Sequence, residues 1–320
     1  MRHPGLNAIC DDACDDIWSV YGPALRTIHV SFCTNLNTMS TFVARVSRLN
    51  ARPAPYGDVL KLQEHLHSSL KMHGSGAQAR VRDTALNGGS PTDDARPVPD
   101  YVLTLQHAHT YTVGKRGRDE DFKHTVEELG ALLRGTPDIV RVPRGGETTY
   151  HGPGQLVVYP IVNLRRLRLG ARAFVESLED AMIATAAEYG VTARGRVPGK
   201  TGVWVGDRKI GAIGVAISGG VSWHGLAFNV SPDLTAFDHI VACGDEVASV
   251  TSLERECRRE VDLVDAGVRL RSRVVHQLWR HVGGESGVRV EEVGDVWDVM
   301  RELGIGGDDE HDEKNERMKE

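Results

Sequence analysis

Apolar side chains at Val59, Leu62, Leu66 and Leu70 recur every three to four residues, the spacing of one helical face, and predict a helix from Tyr56 to His73. A second helix is predicted from Ala171 to Tyr189, with Phe174, Leu178, Ala181 and Met182 on one side. Others are expected at Asp121 to Leu133 and at 262–282, the last of the chain. Short apolar runs predict strands at Tyr101 to Leu105, Ile139 to Val142 and Leu156 to Ile161. Residues 202–230 read as a meander, because Gly206-Asp207 and Gly219-Gly220 are hairpin turns between apolar runs. Hairpins interspersed with helices argue for an α/β domain with a mixed sheet and flanking helices.

Residues 74–99 are rich in Gly, Ser, Pro, Asp and Arg and read as a flexible insertion loop. Residues 1–38 read as a disordered N-terminal extension, because Asp11, Asp12, Asp15 and Asp16 are foreign to an ordinary transit peptide. The stretch from Met39 carries Arg45, Arg48 and Arg52 with no acid, which suits a basic targeting segment, a first strand, or both. The packed domain is expected over 39–285, followed by an extension over 286–320 that ends in an acidic disordered tail.

Charge and cysteine usage narrow the function. The net charge is -6, and seven acidic against three basic residues after Gly307 place most of it in the tail. No basic excess favours nucleic acid. No apolar run reaches the length of a membrane span. Five cysteines, Cys10, Cys14, Cys33, Cys243 and Cys257, form neither a disulfide framework nor a metal-ligand spacing, so no metal is expected.

Three glycine-rich segments carry isolated reactive side chains: Arg144 to Gln155, Gly206 to Gly214, and Trp223 to Ser252. Cys243, alone, reads as a buried structural cysteine. A thiol with an ordinary pKa near 8.5 also needs a cation or amide donors beside it to act as a nucleophile. Lys209, alone, reads as a solvated hairpin lysine, but the strand after it, Ile210 to Gly214, is small and apolar and can desolvate an amine. His151 and His224 taken singly read as hydrogen-bonded core histidines. The glycine pattern around Gly145, Gly146 and Gly152 to Gly154 lacks the lysine of a phosphate-binding loop.

Together these residues resemble a known family. Arg144-Gly145-Gly146 with Thr149-Tyr150-His151-Gly152-Pro153-Gly154-Gln155 resembles the signature of the lipoyl(octanoyl) transferases. So do Gly202-Val203-Trp204-Val205 before Lys209-Ile210, and Ala212-Ile213-Gly214. His224-Gly225-Leu226-Ala227, Asn229, Phe237-Asp238-His239-Ile240-Val241, Cys243-Gly244 and Val250-Thr251-Ser252-Leu253 continue the likeness in order. Weaker blocks lie at Tyr56 with Leu62-Gln63 and at His107 with Tyr111 to Gly114; Ala242 and Asp245 depart from the pattern around the cysteine.

The resemblance implies a fold shared with biotin and lipoate protein ligases and a catalytic dyad of Cys243 and Lys209. It implies a substrate pocket from Arg144, Gly145, Gly146, Glu147, Thr148, Thr149, Tyr150 and His151, from Ala212, Ile213 and Gly214, and from Gly225, Leu226 and Ala227. The implied reaction moves octanoyl from acyl carrier protein, through a cysteine thioester, to a lysine of a lipoyl domain, without a cofactor. The implied acceptors are the lipoyl domains of 2-oxoacid dehydrogenase complexes and the glycine cleavage H protein. Arg165, Arg166, Arg168 and Arg172 offer a dock for an acidic carrier, or a solvated helix entrance. The basic stretch after Met39 favours mitochondria, with bacterial cytoplasm as the alternative. Two rival functions are an ATP-dependent lipoate or biotin ligase and a non-catalytic module that holds acylated carrier.

Overall fold

Valine, leucine and aromatic residues on short strands build a seven-stranded mixed sheet in the computed structural model, which describes residues 42–87, 98–133, 135–241, 249–280, 282 and 288–305. Its strands are β1 (Phe42–Ser47), β2 (Asp100–Leu105), β6 (Gln155–Ile161), β7 (Val203–Val205), β8 (Arg208–Ser218), β9 (Val221–Asn229) and β10 (Val288–Val293), ordered β10-β1-β2-β6-β9-β8-β7. The β10/β1 and β1/β2 pairs are parallel and the rest antiparallel. A smaller sheet, β4-β3-β5, joins β3 (Thr110–Val113), β4 (Asp138–Arg141) and β5 (Thr148–His151).

Helices cover both faces of the large sheet. Helix α3 (Ala171–Glu188) and helix α5 (Leu263–Trp279) pack Phe174, Leu178, Met182, Leu270 and Val274 against Val102, Leu156, Val158 and Phe228. Helix α1 (Tyr56–Asn87) packs Val59, Leu62, Leu66 and Leu70 on the opposite face, against Leu103, Leu105, Val157 and Ile161. Successive side chains of β2 and β6 thus enter different cores, as the two-residue period of a strand requires. Burial on both faces is why these central strands read as unbroken apolar runs. Helix α2 (Val126–Leu132) opens on a Thr125 cap that accepts from the Glu128 amide, and its Leu129 joins Tyr111, Tyr150 and Phe237 under the small sheet. A short helix α4 (Leu253–Cys257) is capped by Ser252.

Two expectations are corrected. The α1 backbone stays helical to Asn87, whereas a loop was expected from residue 74. Ala77, Ala79, Arg80, Ala85 and Leu86 are good helix formers, and the first proline of the stretch is Pro91. Its remainder, 88–97, lies outside the described residues.

The packed domain also does not stop at 285. Strand β10 runs parallel to β1, and helix α6 (Val296–Glu302) adds Val296, Val299 and Met300 to the α1-side core. Arg45 of β1, counted above in a basic stretch, pairs with both carboxylate oxygens of Glu302 at 2.7 Å. This unit escapes sequence reading because it is short and its strand is an edge that carries Arg289, Glu291 and Glu292, with Arg289 and Glu292 exposed. The expected extension 1–38 and the acidic tail lie outside the described residues.

Removing β10 and α6 strips three buried side chains from the core, each contributing roughly 1.5–3 kcal/mol. A chain ending at residue 285 is therefore expected to melt at least about 10 °C below one ending at residue 305. Equal melting temperatures in a thermal scan would show that the extension does not belong to the folded unit.

Candidate active site

Small residues let a loop lie directly on the sheet. The Gly145 amide donates to the Val215 carbonyl of β8 at 3.0 Å, so residues 144–147 form a roof over β8 and β9. A Cβ on Gly214 would come 2.8 Å from Arg144 Cδ and 2.9 Å from the Gly145 oxygen. Gly146 adopts φ +92°, a region that favours glycine. Its carbonyl and that of Arg144 accept from the amides of Arg116 and Lys115 at 3.0 Å each. The space beneath is a cavity of about 160 Å³. That is the scale of an apolar protein cavity of roughly 150 Å³ that admits benzene.

The cavity brings together most of the expected residues. Arg144, Gly146, Glu147, Thr148, Thr149 and His151 line the roof side. Ala212, Ile213 and Gly214 of β8 and Gly225, Leu226 and Ala227 of β9 form the floor. These two triplets are direct cross-strand partners. Two expected residues are not part of the lining. Gly145 acts through its backbone bond instead, and Tyr150 lies in the small-sheet core, its hydroxyl 2.6 Å from His109 Nδ1. Gly152 has to be glycine there, since a Cβ would sit 2.0 Å from the Tyr150 hydroxyl oxygen.

The wall beside His151 is polar, and its rings are uncharged. Tyr56, Tyr159 and His224 line it beside His151. Burial lowers His151 and His224 to about 3, and His107, beneath Tyr159, to about 4. All three imidazoles are therefore neutral across the physiological range. His107 Nδ1 donates to the Ala54 carbonyl at 3.1 Å, which leaves Nε2 to accept from the Tyr159 hydroxyl at 2.9 Å. Tyr56, its phenol pushed up to about 12 by burial, is hydrogen-bonded to Tyr159. Arg144 supplies a fixed charge, held by the Thr112 carbonyl at 2.9 Å and the Thr112 hydroxyl at 2.7 Å.

Lys209 also lines the cavity, at the start of β8. Its Nζ lies 4.8 Å from the centre of the buried Trp204 ring, and Lys200 Nζ lies 5.3 Å from the same ring. A ring face attracts an ammonium through its quadrupole. The Lys209 amide donates to the Ser249 carbonyl at 2.9 Å, and the Thr251 amide donates to the Lys209 carbonyl at 3.0 Å. Cys243 lies outside the described residues, within 242–248. The chain on its other side is also tied down, by a 2.7 Å bond from the Val241 amide to the Asp121 carbonyl.

Several lining residues were not assigned to the site from sequence. Tyr56 opens a helix, Tyr159 sits in an apolar run, and Lys200 and Thr201 lie in a turn, so none carries a local signal of chemistry. Trp204 lay in a matched block, and His224 reads alone as a core residue. Arg165, Arg166, Arg168 and Arg172 lie after β6, where a Gly220 Cβ would contact Arg165. That is the Ser218 end of β8, roughly 30 Å along the strand from Lys209. Arg166 is spent on the buried Asp100 at 2.7 Å, and Arg172 pairs with Glu176 at 2.8 Å. Arg165 and Arg168 are exposed, so the cluster lies on the surface away from the cavity mouth. Among the described residues no group of three His, Cys, Asp or Glu is placed to hold a metal ion, and no helix is long and apolar enough to cross a membrane.

Comparison with known proteins adds an independent line. An octanoyltransferase of Arabidopsis thaliana, named as mitochondrial, is 50% identical over 200 residues, covering 62% of this chain and 73% of that protein. The octanoyltransferase of Pseudarthrobacter chlorophenolicus is 42% identical over 193 residues, covering 58% of this chain and 80% of its own. Among solved structures, a bipartite lipoate protein ligase of Thermoplasma acidophilum aligns with a TM-score of 0.49 and 14% identity, over 83% of this chain and 92% of that one. The lipoyl protein ligase A/B catalytic domain matches residues 91–273, more than half of the chain, and the protein belongs to that family.

Proposed function

We propose that the protein is an acyltransferase of protein lipoylation that moves octanoyl from acyl carrier protein, through a thioester on Cys243, to a lysine of a lipoyl domain. The observation that carries this reading is a cavity on a floor of small residues with Lys209 on its wall. The backbone of Lys209 is bonded to Ser249 and Thr251, just beyond the stretch that holds Cys243. The likeness to octanoyltransferases at 42–50% identity supports the choice of acyl group. The proposed location is mitochondrial, after the plant relative.

The steps balance with these two side chains. Lys209 takes the Cys243 proton, and the thiolate attacks the donor thioester carbonyl. The donor carbon–sulfur bond breaks, and the departing carrier thiolate takes the proton back from the Lys209 ammonium. In the second half the acceptor amine attacks the Cys243 thioester and gives its proton to Lys209. Cys243 leaves as a thiolate, and an amide has formed. Thioester exchange is nearly thermoneutral and amide formation from a thioester runs downhill, so neither half needs ATP. The oxyanion calls for a backbone amide other than that of Gly145, which is given to Val215.

Cys243→Ala or Lys209→Ala is expected to slow transfer by at least about 100-fold, the scale of a lost acid–base group. Intact-mass analysis of the wild type mixed with octanoyl-carrier is expected to show one octanoyl group, mapped to the Cys243 peptide. Near-normal transfer by either variant contradicts the dyad. The floor sets chain length: Ala212→Leu fills the groove, and each excluded methylene forfeits roughly 0.8 kcal/mol. The variant is expected to turn over octanoyl at least about tenfold more slowly relative to butanoyl or hexanoyl, measured with thioesters of graded length. An unchanged preference contradicts this role of the groove.

A further inference from the structure

Between the cavity roof and the Lys209 strand runs a buried chain of hydrogen bonds whose direction can be deduced. Gln155 and Asn229 are cross-strand partners on β6 and β9. The main-chain carbonyls of Tyr150 and Thr251 can only accept. Gln155 Nε2 therefore donates to Tyr150, at 3.2 Å, and to Asn229 Oδ1, at 3.0 Å. Asn229 Nδ2 donates to the Thr251 carbonyl at 3.0 Å. Gln155 Oε1 is left to accept from His151 Nδ1 at 2.7 Å. The His151 ring is neutral, so its Nε2 carries a lone pair, directed at the Thr112 hydroxyl at 3.4 Å. That hydroxyl accepts from Arg144 Nη2 and has its own proton to give.

The chain has a single polarity: Arg144, Thr112, His151, Gln155, Asn229, Thr251. Each of the six residues is buried. Reversing either amide would set donors against donors or acceptors against acceptors at buried positions. At the far end Thr251 is held in two more ways. Its amide donates to the Lys209 carbonyl and its hydroxyl donates to Glu256, which itself accepts three bonds from Arg208. Neither Gln155 nor Asn229 is part of the cavity wall.

We infer that Gln155 and Asn229 are positioning residues. As an oriented amide pair they hold Thr251, and with it the segment that pairs with Lys209, in register with the acyl cavity, without touching the acyl group. The inference rests on the transfer reading above, since it assigns the pair to the step that uses Lys209.

Asn229→Asp is the informative variant. An ionised aspartate cannot donate to the Thr251 carbonyl, whereas a protonated one can. The titratable groups about this position are His151 through Gln155 on one side, and Glu256, Arg208 and Lys209 around Thr251 on the other. Octanoyl transfer from octanoyl-carrier to a lipoyl domain is followed for wild type, Asn229→Asp, Asn229→Leu and Lys209→Ala between pH 6 and 8.5. Both Asn229 variants are expected to lose about tenfold or more in kcat at pH 8, with the donor KM within twofold of wild type. The ratio of Asn229→Asp to wild type should climb as the pH falls, while that of Asn229→Leu stays flat. Near-wild-type rates in both variants, a loss confined to KM, or a flat ratio for Asn229→Asp would each overturn the inference. If Asn229→Leu fails to fold, the pH ratio of Asn229→Asp decides alone. Full activity in Lys209→Ala would instead remove the transfer reading, so the two failures are distinguishable.

Discussion

Two backbone hydrogen bonds on Lys209 organise this site. Its amide and carbonyl join Ser249 and Thr251, so the chain that returns from residues 242–248 is stitched to the strand that carries the lysine. The proposed chemistry requires a thiol and an amine at contact distance, and two side chains some thirty-four residues apart reach that geometry only if their backbones are locked. The remaining architecture serves this lock. β8 lies between β9 and the short β7, the Glu256–Arg208 ion pair braces Thr251, and Trp204 presents a ring face to the Lys209 ammonium.

The second constraint is dielectric. A cavity for an acyl chain is expected to be apolar, yet this one carries tyrosines and histidines. Burial keeps the imidazoles neutral, and hydrogen bonds to fixed carbonyls and amides decide which nitrogen carries the proton. The wall beside His151 is thus polar with neutral rings and the anchored guanidinium of Arg144, while Lys209, Lys200, Arg116 and Glu147 line the rest. In the proposed reaction such a wall would orient a thioester carbonyl at little cost to the hydrocarbon, because the floor opposite it is alanine, isoleucine, leucine and glycine.

Much of this was legible in the sequence, for reasons that differ by residue. The α3 helix announced itself because burial of one face imposes a period, and the β2 and β6 strands because burial on both faces leaves unbroken apolar runs. Glycine density marked the segments around Arg144 to His151 and Ala212 to Gly214, because close backbone approach demands glycine, but their reading as a pocket came from the family resemblance. Tyr150 sits inside the same matched run, but its ring packs in the small-sheet core instead of the cavity. Tyr56 and Tyr159 were missed because only the folded sheet brings a helix start and a central strand together. The β10–α6 unit was missed because an edge strand with charged residues has little apolar signal, and its attachment through Arg45 and Glu302 spans the length of the chain.

The proposal stands on the ionisation of one thiol by one amine, and that can be measured without turnover. Alkylation of the Cys243 peptide by iodoacetamide, followed by mass spectrometry across pH 5 to 10, reads thiolate formation directly. The account predicts a midpoint well below the ordinary thiol value of about 8.5 in the wild type, returning toward that value in Lys209→Ala. Superimposable profiles for the two proteins would contradict it.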